Sequence, residues 1–385
     1  MRLLVVTNIY PPQNLGGFGL CMERLTKALE DIGYNTLVLT GNQSQLGEVE
    51  KEKRVNRHLR LLGEYGEGVQ HLNNETERKI RQEANLFRIE EAMKEHKPNA
   101  CLVGNLDLLG KEVLDKILSY NIPTIQHIGF MGSPFPGDWI PKKKPFKLAF
   151  ASGEVKKLFQ KMGHKVDHHP IVYPPLNSNT APIKKTKGIT DKINIGFCGL
   201  IMQSKGLHIA LEAAAKLRKQ GIPFRFRIAG ETFSRDYGEA LKKYCSDNNI
   251  TENISWDGFI KPEKLGSFYQ NIDLLVFPSL YPESFGMVVA EAMTHGVVPI
   301  SSGVGGAYEV ITHKLDGLLV EPGNSEDLYH NIKWCYHNKD RVKDMGRKAR
   351  KFSLLRFTPR KGAETLKNMF EEMTEKMTDR VEIFK

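Results

Sequence analysis

The segment from Phe277 to Ile300 constrains the fold more than any other part of this chain. Its sequence, FPSLYPESFGMVVAEAMTHGVVPI, predicts a buried strand, a turn, a helix and then a second strand. A strand, a helix and a strand in succession form the unit from which parallel sheets are built. We therefore expect this segment to lie in an α/β domain.

Two carboxylates lie on the predicted helix of this segment. Glu283 and Glu291 are eight positions apart, a rise of about 12 Å along a helix. The predicted first turn, Ser284 to Gly286, carries backbone N–H groups without intrahelical partners and the positive end of the helix dipole. Such a turn can hold a phosphate. A nucleotide-sugar lying along the segment would meet both Glu residues and the helix start.

Both halves of the chain alternate predicted strands with predicted helices, which indicates parallel sheets covered on both faces. A chain of 385 residues is typical of two domains. We expect doubly wound, Rossmann-like domains at 1–178 and 190–358, separated by a polar linker from Asn177 to Asp191. The interval from about Gln43 to Lys97 is charged and gives helical character only from Glu77 to Glu95.

The strands that the pattern predicts are Leu3–Thr7, Thr36–Thr40, Ala100–Val103, Thr124–His127, Lys147–Ala151, Ile193–Cys198, Phe224–Ala229, Ile254–Trp256, Leu274–Phe277, Val298–Ser301 and Leu318–Val320. A long helix is expected from Pro359 to Val381. The carboxyl ends of parallel strands are where ligands bind in such sheets, so the loops that follow these strands are the candidate site.

The formal charge of +10 calls for an anionic partner. A nucleotide-sugar, an anionic membrane surface or a phosphorylated acceptor would each satisfy it. Nucleic acid is disfavoured, because no basic stripe with interleaved aromatic residues is present. The densest basic cluster, Lys142 to Lys147, is expected in a loop, either as solvated charge or as a contact to acidic lipid or acceptor.

Compartment and metal content follow from small features. No apolar run approaches the ~20 residues of a membrane span, and the first residues run straight into a predicted strand, unlike a signal peptide. Five scattered cysteines without a CxxC pair indicate reduced thiols. We expect a cytoplasmic protein, with peripheral contact to the inner face of the membrane left open. An Asp-x-Asp pair at a strand end would suggest a metal site, and the sequence has none.

Several of these motifs together resemble the family 4 glycosyltransferases, which are retaining enzymes of the GT-B fold. The resemblance rests on Pro278-Ser279, Glu283-Ser284-Phe285-Gly286 and Glu291-Ala292. It extends to the Gly-rich loop Gly16-Gly17-Phe18-Gly19 and to the loop from Gly199 to Gly206 that contains Lys205. It covers nearly the whole chain except about 43–98.

The resemblance implies a role for each matched residue. Glu291 accepts hydrogen bonds from the ribose hydroxyls, and Glu283 contacts the transferred sugar. Lys205 is a compact cation that neutralises the diphosphate. His127, at the end of a predicted strand, lies near the reacting sugar and steadies the leaving phosphate. The donor-binding residues are then Gly16, Gly17, Gly199, Lys205, Gly230, Ile260, Ser284, Phe285, Gly286, Met287 and Glu291, with His127, Glu283 and Lys205 as the catalytic set.

The resemblance also implies a GT-B architecture, with the C-terminal helix (about 359–385) crossing back to the first domain. The implied activity is metal-independent transfer of a hexose from an NDP-sugar, UDP- or GDP-linked, to a glycan or lipid-linked acceptor, without a cofactor. Acceptor specificity is expected in the first domain, where the match is poorest. One departure is Leu200, where the family most often has an Arg that shares the phosphate charge.

Two other functions remain open. The GT-B architecture also serves nucleotide-sugar epimerases, which need no acceptor. A binding subunit without turnover is the other alternative, and Leu200 motivates it.

Overall fold

The computed structural model describes residues 1–383 except 51, 66–68, 136–138, 142–143, 177–188, 190 and 233. It divides into two compact units, one of Met1–Pro175 with Pro359–Lys385 and one of Leu176–Thr358. The expected linker, Asn177–Asp191, lies almost entirely outside the described residues. Each unit is a parallel sheet covered by helices, as the strand and helix alternation predicts.

The first unit is built on a central, fully buried strand. Its strands are β1 (Arg2–Thr7), β2 (Asn35–Gly41), β3 (Val55–Leu59), β4 (Gly63–Tyr65), β5 (Val69–His71), β6 (Ala100–Val103), β7 (Thr124–Ile128) and β8 (Phe146–Phe150). Its helices are α1 (Phe18–Asp31), α2 (Glu75–His96), α3 (Lys111–Ser119), α4 (Gly153–Lys161) and, at the end of the chain, α11 (Pro359–Ile383). The main sheet has the order β3-β2-β1-β6-β7-β8, all parallel, and β4 and β5 form a separate antiparallel hairpin.

The second unit repeats this plan. Its strands are β9 (Ile193–Cys198), β10 (Phe224–Ala229), β11 (Ile254–Gly258), β12 (Leu274–Phe277), β13 (Val298–Ser301) and β14 (Leu318–Leu319). Its helices are α5 (Leu207–Lys219), α6 (Arg235–Asp247), α7 (Leu265–Tyr269), α8 (Met287–Thr294), α9 (Ser325–His337) and α10 (Lys339–Arg356). The parallel sheet has the order β11-β10-β9-β12-β13-β14.

Strand order reverses once at the middle of each sheet. In the first unit the reversal lies between β1 and β6, and in the second between β9 and β12. At such a switch point the two loops leave the carboxyl edge in opposite directions and open a crevice, where ligands of doubly wound sheets bind. The loops after β1, β6, β9 and β12 are therefore the ones to inspect.

The final helix packs within the first unit. Leu366 and Phe370 of α11 are fully buried, and the Phe370 ring lies 6.3 Å from that of Tyr34. An ion pair joins Lys147 of β8 to Glu372 of α11. Lys147 and, after it, Lys376 lower the pKa of the Glu372 carboxyl to about 2. Lys147 belongs to the strand predicted at Lys147–Ala151, so the basic cluster expected in a loop from Lys142 to Lys147 ends in a strand. Lys142 and Lys143 lie outside the described residues.

The interval from Gln43 to Lys97 contains more structure than the sequence predicts. It holds β3, the β4–β5 hairpin and α2, whose helix begins two residues before the expected start at Glu77. The strands were missed because β3 is an edge strand with half-exposed residues, and its sequence lacks the continuous apolar run of the buried strands. α2 begins with a capping interaction, since the Asn74 side chain accepts a hydrogen bond from the Glu77 amide.

Candidate active site

A charged pair bridges the switch point of the second unit. Lys205, in the loop after β9, places its Nζ 2.7 Å from Oε1 of Glu283, in the loop after β12. The Ser279 hydroxyl donates a second hydrogen bond to the same oxygen, also at 2.7 Å. The two charged side chains are 26% and 14% exposed. The pair is therefore largely withdrawn from solvent but still open on one side.

Two close backbone approaches set this geometry. Gly206, which follows Lys205, has a φ of +70°, and a Cβ there would lie 2.0 Å from the Pro278 carbonyl oxygen. The Leu280 amide also donates to the Ser204 carbonyl at 2.8 Å. The two loops thus touch through their backbones, which only a residue without a side chain allows at position 206. This backbone contact brings the side chain of Lys205 within hydrogen-bonding distance of Glu283.

Gly199 and Gly230 directly follow the neighbouring strands β9 and β10. A Cβ on Gly230 would lie 1.9 Å from the Gly199 carbonyl oxygen, so the two strand ends are also in close backbone contact. Ile260 follows the edge strand β11 and is half-buried. These three predicted donor-binding residues therefore lie along the same carboxyl edge as Lys205 and Glu283.

The helix of the Phe277–Ile300 segment begins later than predicted. α8 starts at Met287, with Gly286 as its N-cap, so Ser284 and Phe285 belong to the preceding turn. The amides of Val289 and Ala290 donate to the Gly286 carbonyl. The first helical amides without a helical acceptor are therefore those of Met287 and Val288.

Phe285 was expected among the donor contacts, but its side chain is part of the core. It is 1% exposed, and its ring meets that of Phe357 edge to face at 5.0 Å. An aromatic anchor at this point holds the turn that carries Ser284 and Gly286. The contact expected from Phe285 was through its backbone amide, so the buried ring does not contradict that expectation.

Glu291 lies on α8, four residues after Met287, the first residue of the helix. Its carboxylate is close enough to Cys198, the last residue of β9, to contribute to the raised pKa of that thiol. Burial is the larger cause, and together they raise the pKa of Cys198 to about 12. Glu291 therefore lies near the end of β9, and Lys205, in the loop that follows β9, pairs with Glu283.

Exposed aromatic side chains surround this edge. Phe259, Tyr281 and Tyr308 follow β11, β12 and β13, and they are 59%, 70% and 63% exposed. Large exposed aromatic groups at a strand-end crevice are suited to stacking against a planar ring such as a nucleobase. Tyr281 and Tyr308 were not singled out in the sequence, because a single tyrosine in a loop has no pattern that marks it.

His127 lies in the first unit and is placed differently from the expected sugar contact. It is fully buried near the end of β7, 5.8 Å from the Phe18 ring. Its Nε2 lies 2.8 Å from the Val172 carbonyl oxygen, which can only accept, so Nε2 carries the proton and Nδ1 is an unpaired acceptor. Burial lowers the pKa of His127 to about 4. The ring is neutral, and no part of it reaches the surface.

Gly16 and Gly17 occupy the loop at the switch point of the first unit. Gly16 is exposed, and Gly17 is the N-cap of α1. The Asn14 side chain donates to the Gly16 carbonyl at 2.7 Å and holds the loop. This loop belongs to the first unit and Lys205 belongs to the second.

A polar cluster at the same switch point was not predicted. Asn8, after β1, donates to Oδ1 of Asp107, after β6, at 2.5 Å, and also contacts the Tyr65 hydroxyl. Burial raises the pKa of the Asp107 carboxyl. The cluster is the counterpart of the Lys205–Glu283 pair in the other sheet. Its members are 42 to 99 positions apart, so no local motif could have indicated it.

The described residues contain no group of three or more His, Cys, Asp or Glu side chains that could hold a metal ion. None of their helices combines the length and hydrophobicity that crossing a bilayer requires. The five cysteines are buried and free.

The Lys205–Glu283 pair lies in a part of the chain that is similar to known proteins. Residues 179–352 match the family described as Glycosyl transferases group 1. The chain is 33% identical over 138 residues to an uncharacterized glycosyltransferase of Methanocaldococcus jannaschii, over 36% of this chain and 34% of the relative. It is 29% identical over 211 residues to a D-inositol 3-phosphate glycosyltransferase of Pseudarthrobacter chlorophenolicus, over 52% of this chain and 50% of the relative. The match therefore spans between a third and a half of these curated relatives.

Solved structures show likeness over the whole chain. HepE of Anabaena, in complex with UDP and glucose, superposes with a TM-score of 0.74 at 18% identity, over 97% of this chain and 100% of that one. At this identity the likeness shows the fold. The protein has the GT-B α/β fold, and the part of the chain that resembles the glycosyl transferases group 1 family, residues 179–352, falls in its second unit. The resemblance seen in the sequence is confirmed to that extent.

Proposed function

We propose that the protein is a retaining, metal-independent glycosyltransferase that moves a hexose from an NDP-sugar to a glycan or lipid-linked acceptor. The observation that carries the proposal is the Lys205–Glu283 pair at the switch point of the group 1 domain, beside the start of α8. The complexes of HepE with UDP and with UDP-glucose support a UDP-linked donor. The named glycosyltransferase relatives support sugar transfer.

The donor is proposed to lie along the carboxyl edge of the second sheet. The ammonium of Lys205 and the amides of Met287 and Val288 would bind its diphosphate, and the helix dipole adds positive potential at those amides. Glu291 would accept from the ribose hydroxyls and Glu283 from the sugar, because a carboxylate offers several acceptor sites and no competing donor. The base would stack near Phe259 and Ile260, beside Gly199 and Gly230.

The proposed chemistry is a displacement on one face of the sugar. The bond from the anomeric carbon to the phosphate oxygen breaks, and the nucleoside diphosphate leaves with that electron pair. The acceptor hydroxyl oxygen bonds to the same carbon, and its proton passes to the leaving phosphate oxygen. The protein supplies position and charge stabilisation. His127 enters as a positioning residue of the β7 end, since it is fully buried.

Acceptor selection is proposed for the first unit, near Gly16 and Gly17. A cytoplasmic location with peripheral contact to an anionic membrane suits a lipid-linked acceptor, and the formal charge of +10 favours such contact. Nucleic acid has no place in the proposal.

The test begins with a thermal-shift screen of UDP-, GDP- and ADP-sugars, since a bound ligand raises the melting temperature with its occupancy. The stabilising donor is then incubated alone and with acceptor pools, with and without a chelator. Acceptor-dependent release of nucleotide, unaffected by the chelator and with the anomeric configuration kept, supports the proposal. Stoichiometric epimer from donor alone would indicate an epimerase, and binding without turnover would indicate a binding subunit. Activity abolished by the chelator would remove metal independence.

A further inference from the structure

A cationic groove lies on the first unit, and none of its lining residues belongs to a motif that the sequence singles out. It has a volume of about 540 Å³ and lies between the end of β3 and the first half of α2. Arg57 and Arg60 come from β3 and the residue after it, and Arg81 and Arg88 come from α2. Glu77 is the one carboxylate among its lining residues, and outside the lining Glu52 pairs with Arg57 at 3.3 Å and Glu91 pairs with Arg88 at 2.5 Å. Asn42, which directly follows β2, lines one end of the groove. This end therefore lies at the carboxyl edge of the sheet.

Two of these guanidinium groups are held rigidly. Arg57 donates to the carbonyl oxygens of Tyr10 at 2.8 Å and Pro11 at 2.5 Å, and its side chain is only 10% exposed. Arg81 donates to the Leu61 carbonyl at 2.7 Å and pairs with Glu77 at 2.5 Å. Their positions are therefore fixed before any ligand arrives, which lowers the entropic cost of binding one.

Arg60 is positioned by a buried amide. The Asn85 side chain is fully buried, accepts from the Arg60 amide at 2.7 Å and donates to the Arg60 carbonyl at 2.8 Å. Both groups of this side chain are thus spent on the backbone of one residue. Arg60 itself is exposed at the groove, and its guanidinium forms no ion pair with the described residues. A fixed backbone with an unneutralised cation is what an anion site requires.

The groove also reaches the loop that precedes α1. Arg57 bonds to Tyr10 and Pro11, which lie a few residues before Gly16 in that loop. Ile80, on the α2 wall, is 55% exposed and gives the groove an apolar side. An anion bound here could therefore belong to a larger molecule whose remainder extends toward the Gly16 loop.

We propose that this groove binds a phosphate group of the acceptor substrate, an inference that rests on the proposed transferase function. A phosphate ester carries up to two charges on three terminal oxygens, and the Arg60 guanidinium can bind it with a fork of N–H donors. Arg57, Arg81 and Arg88 are each paired with a carboxylate, so Arg60 supplies the charge that the anion neutralises. The acceptor is therefore a phosphorylated sugar, polyol or lipid-linked saccharide.

The experiment titrates the full chain with glucose 6-phosphate, glucose and inorganic phosphate by calorimetry. Binding of both phosphates but not of glucose is expected, and it should weaken at higher ionic strength. Arg60→Gln should weaken glucose 6-phosphate binding about tenfold or more, the loss expected for a charge-assisted hydrogen bond. Arg78→Gln, an exposed arginine on α2 outside the groove lining, is the matched control and should bind as the wild type does.

Three results would overturn the inference. The first is equal binding by the wild type and Arg60→Gln while both melt at the same temperature. The second is equal weakening by Arg60→Gln and Arg78→Gln. The third is the absence of glucose 6-phosphate binding together with adsorption to phosphatidylglycerol vesicles, which would make the surface a membrane contact.

The same proteins are also tested with UDP-glucose and the other donors. If the wild type binds no donor while Arg60→Gln still weakens glucose 6-phosphate binding, the proposed transfer function is removed and the phosphate site remains. Donor binding that is intact while Arg60→Gln changes nothing would remove only the groove.

Discussion

Lys205 Nζ and Glu283 Oε1 lie 2.7 Å apart, although the residues are 78 positions apart in the chain. The cation expected to neutralise a diphosphate is therefore already partnered by the carboxylate expected to contact the sugar. An ammonium group has three N–H donors, so Lys205 can keep Glu283 and still reach a phosphate. The pair stabilises each charge while neither has a ligand, since removing one partner would leave a partly buried charge uncompensated.

A double-mutant cycle measures this pairing. Lys205→Met and Glu283→Gln should each lower the free energy of unfolding, and the double variant should lose less than the sum. We expect a coupling energy of about 1 to 2 kcal/mol for a pair in direct contact, measured by urea unfolding. The exposed pair Arg235–Glu239 on α6, treated identically, is the control and should couple by less than ~1 kcal/mol. Additive losses at positions 205 and 283 would contradict the pairing.

Substitutions of the two glutamates should separate chemistry from donor binding. Glu283→Gln is expected to lower kcat by about 100-fold, the scale of removing one group that stabilises the transition state, with a smaller change in KM. Glu291→Gln should mainly raise KM for the donor, because the ribose is remote from the reacting bond. Steady-state kinetics with the donor found by the thermal-shift screen decides. Identical effects of both variants on kcat and KM would refute the separate roles.

The close approach at Gly206 has a matched control on the same helix. Gly206 and Gly221 flank α5 with φ values of +70° and +66°, but a Cβ on Gly221 meets nothing within 4 Å. Gly221→Ala should cost about 1 kcal/mol from the positive φ alone. Gly206→Ala should cost at least ~2 kcal/mol more, because its Cβ meets the Pro278 carbonyl. Chemical denaturation measures both. Equal losses would show that the loop approach does not constrain position 206.

The buried His127 should make the protein acid-sensitive. Its folded-state pKa of about 4 lies below the ordinary 6.5, so the unfolded chain binds the proton first as the pH falls. The stability it contributes is complete above pH 6.5 and is lost as the pH falls toward 4. Over that window the loss is up to about 1.4 kcal/mol per pH unit.

His127→Gln should remove this part of the slope when unfolding free energies are measured at pH 7, 6 and 5. His169, whose pKa burial also lowers to about 4, stays in both proteins and leaves a common background slope. An unchanged slope in His127→Gln would contradict a buried neutral ring.

Much of the fold could be predicted from local pattern. β6, β9, β10, β12 and β13 have the predicted bounds. β6 and β12 are fully buried, continuous apolar runs, which stand out in any sequence. The edge strand β3 and the hairpin of β4 and β5 are half-exposed and lack such runs. Their existence depends on pairing with distant segments, which a local pattern does not record.

The candidate site divides in the same way. The residue types and spacings of Glu283, Glu291 and Lys205 are sequence facts, and they were enough to indicate a nucleotide-sugar segment. The partnership of Lys205 with Glu283 and the enclosure of His127 could not be inferred, because each depends on contacts between residues at least 45 positions apart.

The sequence by itself determined the buried strands, the glycines that follow them and the carboxylates of the Phe277–Ile300 segment, since these follow from burial and spacing along the chain. Only the tertiary structure decided which charges meet, which side chains stay in contact with solvent and where four arginines converge on one groove. The physical reason is that strand pairing and helix packing bring distant residues within a few ångströms, and charge interactions depend on that distance.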